Sequence, residues 1–372
     1  MLAALFLMAC TRRGSLNAVE DAFKGKAGGP WRRWMGGALP SADRLGEVAA
    51  LVDPDELRAA LLQHHYRRKR KKTLPPLPGG LRVLILDGHE MGASYRRSCP
   101  DALTRQVPCN DGEHTQHYLR YVAAYLMGAR GRLLIDLEMQ RPREGEIAAA
   151  QRLLQRLLHN CPRAFNLVAG DALYLHPDLC RAILDSNKHF IAVLKNENRE
   201  LIQDFRALME LACGDPLRLT YNGKQCACHD IEGFDSWDQL AEPVRVVRSL
   251  ETAAVRRQLT KQTEELRSEW LWATSLPKAK AGTAAVVRIG HSRWAIENHG
   301  FNELARAWKA DHVYRLDLNA VTVILLLIFL AYNVFHVWLE RGLKPALRQA
   351  HAADYFAGQV QAEFYVLLLR PG

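Results

Sequence analysis

Two short apolar runs, each ending on an acid, set the frame for this chain. RVLILDG carries four consecutive apolar residues, Val83 to Leu86, into Asp87 and Gly88, and FNLVAGD repeats the pattern into Asp171. An unbroken apolar run bounded by a turn signal reads as a strand buried on both faces. In open α/β sheets ligands gather where such strands end, so two acids placed there can converge on one crevice. For either residue alone the plainer reading is that Asp favours turns, above all before Gly88. The combination is more specific than its parts.

The rest of the chain supports a layered α/β fold. Residues 116–127 and 132–140 read as strands joined across Gly128 to Gly131. Glu144 to Asn160 has helical spacing, with Ile147, Leu153, Leu154, Leu157 and Leu158 on one side. After Asp171 a helix and the strand HFIAVL follow. Strands first adjacent and then alternating with helices predict a sheet of mixed strand direction. Between about 201 and 282 the segments LRLTY, VRVVRSL and EWLWATSL predict a β-rich insertion, and helical patterning returns from about 284. The expected organisation is a helical, basic region at 1–78 with possible DNA binding, a core at 79–200, the insertion at 201–282, the rest of the core at 283–345 and a tail at 346–372. The segment TLPPLPGG marks a linker after the first region.

With 48% hydrophobic and 24% charged residues the chain is that of a folded globular protein. Its net charge of +10 favours an extended polyanion, nucleic acid or an anionic membrane surface. The run Arg67, Arg68, Lys69, Arg70, Lys71, Lys72 is either a solvated helix end or a set of phosphate contacts, which position a duplex without reading its sequence. The cysteines are scattered, as in a reducing cytosol. Cys226, Cys228 and His229, and more loosely Cys99, Cys109, His114 and His117, lack the paired spacing of a zinc ribbon and read as buried thiols and surface histidines.

Two apolar stretches need a place. Residues 1–10, MLAALFLMAC, look like a signal segment but lack a preceding basic residue, so a buried first helix is expected. Ala320 to Leu339 is long enough to cross a bilayer, yet Asn333 and His336 interrupt it; the other reading is a helix buried on all sides.

Glu297 has an unusual setting. Trp294, Phe301, Leu304 and Trp308 share one helix face, and Glu297 lies on that face. Burying a carboxylate is costly without a compensating cation, and Arg293 one turn earlier can supply one, which makes a structural Arg293–Glu297 pair the alternative to a functional acid. Together Asp87, Asp171 and Glu297 offer hard oxygen ligands suited to Mg²⁺ or Mn²⁺. A pair of such ions activates a water or a DNA 3′-hydroxyl and stabilises the leaving oxygen in attack on phosphorus.

The segments LILDGHE, VAGDALY and RWAIENHGFNEL resemble the three acidic motifs of bacterial insertion-sequence transposases of the DDE type, particularly those with a β-strand insertion between the second and third acid. Asp87 and Asp171 are 84 residues apart, Asp171 and Glu297 are 126 apart, and the longer interval accommodates the β-rich segment. The resemblance covers roughly residues 50–345. It implies a ribonuclease H-like core, cleavage and strand transfer at the ends of a mobile element, double-stranded DNA (terminal repeats and target) as partner, a homodimer, and a place in the cytoplasm with the nucleoid rather than in a membrane. It makes the 320–339 helix a core helix. A related metal nuclease and a catalytically silent DNA-binding derivative are the alternatives. The resemblance also implies a DNA contact by Arg293 and an aromatic ring of the insertion stacking on an extruded base, for which Trp237 and Trp272 are the candidates. Many relatives carry a Tyr three residues before the Arg of the third motif and a Lys seven after its Glu. Here Gly290 and Leu304 stand there, with Arg306 and Lys309 as the nearest substitutes.

Overall fold

The computed structural model describes residues 1–24, 40–195, 199–212, 214–256 and 262–369; Cys213 lies outside them. Strands β1 (Val83–Ser94), β2 (Leu103–Cys109), β3 (Gly112–Met127), β4 (Arg132–Met139), β5 (Leu167–Gly170) and β6 (His189–Val193) come first along the chain. They are followed by β7 (Leu217–Tyr221), β8 (Lys224–Phe234), β9 (Val244–Arg256) and β10 (Thr263–Thr274). All belong to one sheet of order β2-β3-β1-β5-β6-β10-β9-β8-β7, with β4 on β3 beside β2. The central part, β4-β3-β1-β5-β6, is antiparallel up to β1 and parallel from β1 to β6, the ribonuclease H-like arrangement expected.

Alternation along β1 explains why its apolar run is unbroken. Val83 and Ile85 face one core layer, and Leu84 and Leu86 face the other. The second layer is built by α5 (Glu146–Asn160), α6 (Pro177–Asp185) and α7 (Glu200–Ala212). The first is built by α8 (Thr283–Ser292), α9 (Leu318–Gly342) and the N-terminal helices α1 (Leu2–Cys10), α2 (Leu16–Lys24), α3 (Ala42–Leu51) and α4 (Pro54–Arg70). The strand does not stop at Asp87, as the apolar run suggested. It continues to Ser94 because β3 keeps pairing with it, while its parallel neighbour β5 ends at Gly170.

The insertion opens with a helix rather than a strand. Leu201, Ile202 and Phe205 are buried at helical spacing on α7, and the strands follow from Leu217. Through β10 the insertion strands extend the central sheet, Trp272 pairing with Val193. A buried ion pair fastens them to the chain that follows. Arg245 meets Asp230 at 2.6 Å, Thr283 of α8 donates to the same carboxylate, and the Arg245 guanidinium also donates to the carbonyls of Leu276 and Ala281.

The long apolar helix α9 is buried from Ala320 to Phe329, against α1, α3, α4 and β4. The N-terminal helices α1, α3 and α4 thus cover the core helix. The Pro/Gly segment is tied in as well, the Ala129 N–H donating to the Pro75 carbonyl at 2.8 Å and Leu77 bridging to Leu81. Beyond residue 345 the chain forms α10 (Pro345–Ala350) and α11 (Ala353–Leu369). The polar residues that interrupted the apolar stretch have partners. His336 pairs with Glu303 at 2.8 Å, and the buried Asn333 amide accepts from the N–H and donates to the carbonyl of Leu134 on β4, at 3.0 and 2.7 Å. Asn333→Leu therefore strands two buried backbone groups and costs about 2–5 kcal/mol. A urea midpoint unchanged by the substitution would refute that role.

Candidate active site

The register of β1 on β5 brings the first two acids together. Val83 lies opposite Leu167 and Ile85 opposite Ala169, an offset equal to the interval between Asp87 and Asp171. Carried on by two residues, it sets the two acids side by side on one face, on strands about 4.8 Å apart. Asp87 Oδ1 accepts from the Gly88 N–H at 3.1 Å, and Asp171 Oδ1 accepts from the Leu173 N–H at 2.8 Å at the head of a 3₁₀ turn, Ala172–Tyr174.

The third motif reaches this face on a helix of irregular pitch. Past Arg293, α8 continues through Trp294–Ile296, a π turn at Glu297–Phe301 and a last helical turn, Asn302–Arg306. The wide turn shifts the helix phase, so Ile296, Phe301, Leu304 and Trp308 are buried while Trp294 leaves the apolar face and is 37% exposed. Two contacts bracket Glu297. On one side Arg293 donates to Asp87 Oδ2 at 3.2 Å; on the other Phe301 stacks on His89, two residues beyond Asp87, at 4.6 Å between rings. Arg293 thus pairs with Asp87 and not with Glu297, whose half-buried carboxylate has no hydrogen-bond partner among the described residues.

A fourth carboxylate lies close by. Glu146, at the first turn of α5, accepts from the Tyr174 hydroxyl at 2.9 Å and from Arg120 at 3.3 Å. Burial, reinforced by the fields of Asp171 and Glu146 and opposed by Arg293, pushes the Asp87 carboxyl up to about 7. Burial and the field of Asp171 also raise Glu146, against its bonds to Tyr174 and Arg120. Crowded hard-oxygen donors, four carboxylates against the guanidiniums of Arg293 and Arg120, fit a divalent cation. Nothing in the sequence singled out Glu146, since an acid in a helix's first turn is ordinary.

Residues 78–334 match the family described as transposase DDE domain, more than half of the chain. The chain belongs to the DDE transposase family. No curated protein matches it.

The departures of this transposase from its relatives are packing solutions. A Cβ on Gly290 would stand 2.3 Å from the indole nitrogen of Trp272, so the ring fills the space beside the helix. Leu304 is fully buried, and Lys309 turns back to donate to the Arg306 carbonyl at 2.9 Å. Trp272 is 1% exposed, which removes it as a ring for an extruded base; Trp237 is half-buried, edge-on to Phe190. In the basic run, Arg68 points inward to Glu340 at 2.7 Å and leaves the phosphate-contacting set, while Arg67, Lys69, Arg70, Lys71 and Lys72 are exposed. Lys72 shares a cleft with Arg130, Arg341 and Arg348 beside the β3–β4 turn. That turn lies level with Val83, about 13 Å along β1 from Asp87. Cys226 and Cys228 are buried thiols, whereas exposed Cys109 and His114 meet Asp111 at the β2–β3 turn.

The Asp87 shift predicts a pH dependence. Unfolded, the carboxyl titrates near 3.8; folded, near 7. Between these values the folded chain holds the extra proton, so stability falls as pH rises from about 4 to about 7 and then levels. In chelator, Asp87→Asn should melt higher than the parent, with an advantage of about 1–2 kcal/mol at pH 5 that grows to about 4 kcal/mol at pH 8. An advantage equal at both pH values would rule out the ionised carboxylate as its cause.

Proposed function

We propose that this transposase cleaves the ends of an insertion sequence and joins them to target DNA, with Asp87, Asp171 and Glu297 holding two Mg²⁺ or Mn²⁺ ions. The observation that carries the reading is the shared register of Asp87 and Asp171 on one sheet face, with the Glu297 turn pinned there by Arg293 and Phe301. Like charges placed this close repel, and a bound cation turns that repulsion into affinity. Ions at this position would supply a polarised oxygen nucleophile and neutralise the charge that develops on the leaving oxygen.

The chain's own residues prepare that chemistry. The β1–β5 pairing fixes the spacing of the two aspartates, and the π turn presents Glu297 between its two anchors. Arg293, within reach of Asp87, is placed to contact a DNA phosphate at the acids. Exposed Arg67, Lys69, Arg70, Lys71 and Lys72, with Trp237, are the outlying DNA contacts. The +10 net charge favours the duplex as a whole. Joining two element ends calls for two copies of the chain, so the working form is a homodimer on DNA, in the cytoplasm with the nucleoid.

The test is an Asp87→Asn, Asp171→Asn and Glu297→Gln series, each shape-preserving. Metal-dependent cleavage of element ends should fall by more than about 100-fold in every variant, because even groups that only support a ligand cost 10- to 100-fold. DNA binding should persist or tighten as negative charge is removed. A folded variant that cleaves at near the parent rate would exclude its residue from the site.

A further inference from the structure

Two glycines beside the paired aspartates let side chains of the α5–α6 layer pack directly on the sheet backbone there. Asp87 and Asp171 belong to the layer of α8 and α9, whereas alternation turns Gly88 and Gly170 toward the layer of α5 and α6. A Cβ on Gly88 would lie 2.3 Å from the carboxyl carbon of Glu146, and one on Gly170 would lie 2.4 Å from the Cβ of Tyr174. Any side chain at either position would displace the group now there. The buried Tyr174 hydroxyl donates to Glu146 Oε1 at 2.9 Å, and Arg120 holds Oε2 at 3.3 Å. Glu146 is thus fixed over Gly88, the neighbour of Asp87 in sequence. Each of its oxygens keeps a further acceptor position.

We infer that Glu146 is a fourth acidic group of the metal site, a positioning residue that packs over Gly88, next in sequence to Asp87, and strengthens the hold of Asp87 and Asp171 on their cation. The inference rests on the metal-site reading above. Tyr174 and Arg120 orient this carboxylate as outer partners orient metal ligands elsewhere. Glu146 sets how much metal the enzyme needs, while the triad carries the reaction.

The experiment measures Mn²⁺ binding to the full chain directly, from loss of the free-ion paramagnetic resonance signal, beside Mg²⁺ titrations of cleavage and melting curves in chelator. Glu146→Gln keeps the shape and an acceptor for Tyr174. It should weaken Mn²⁺ binding about 10-fold or more and move the Mg²⁺ requirement upward by a similar factor, with cleavage largely restored at saturating metal and the chelator melt not lowered. Tyr174→Phe, which frees the carboxylate without removing it, should shift both titrations in the same direction by less. Parent-like Mn²⁺ affinity and Mg²⁺ requirement in Glu146→Gln overturn the inference, as does a lowered melt with metal affinity intact. Asp171→Asn, run in parallel, separates the levels. If it loses Mn²⁺ and Glu146→Gln does not, the inference alone fails; if it binds Mn²⁺ like the parent, the metal-site reading fails beneath it.

Discussion

Two carboxylates, one on β1 and one just past the end of its parallel neighbour β5, are brought side by side by the register of the two strands and repel one another. That constraint organises the surrounding chain. A guanidinium from the third motif reaches Asp87, a backbone N–H bonds to each aspartate, and a further acid is tethered by a tyrosine and an arginine at the same edge. Burial first, and then the fields of Asp171 and Glu146, push the Asp87 carboxyl up to about 7 against the pull of Arg293. Such a site is held ready by the fold at some cost in stability, which a ligand of opposite charge relieves.

The helix carrying Glu297 is positioned from both ends. Thr283, in its first turn, bonds to the Asp230–Arg245 pair of the insertion, and Phe301 at the far end of the π turn packs on β1. The insertion therefore shares in building the active site, because its strands continue the central sheet and its buried ion pair grips the helix start. Breaking such a pair on one side leaves an uncompensated buried charge, a far larger loss than an exposed pair would cause.

Much of this was legible in residues alone, for identifiable reasons. Leu84 and Leu86 point away from Val83 and Ile85, so a strand buried on both faces must read as an unbroken apolar run, and β1 and β5 announced themselves that way. The length of β1 was hidden because residues past Asp87 pair with β3 on a half-exposed edge, where polar side chains are tolerated. Helical spacing placed Phe301, Leu304 and Trp308 correctly, but an α-periodic count cannot foresee a π turn, which rotated Trp294 outward. Arg68 was indistinguishable from its basic neighbours until its partner Glu340, distant in sequence, was brought beside it. Gly88 looked like a turn residue, whereas it sits within a strand and its missing side chain makes room for Glu146.

The contact between Gly290 and Trp272 bears on how such enzymes vary. One volume beside the third-motif helix is filled here by an indole from the sheet, where many relatives have a tyrosine on the helix. Any side chain at 290 would run into that indole, so a larger residue there calls for a smaller one at 272, and the two positions can change only together.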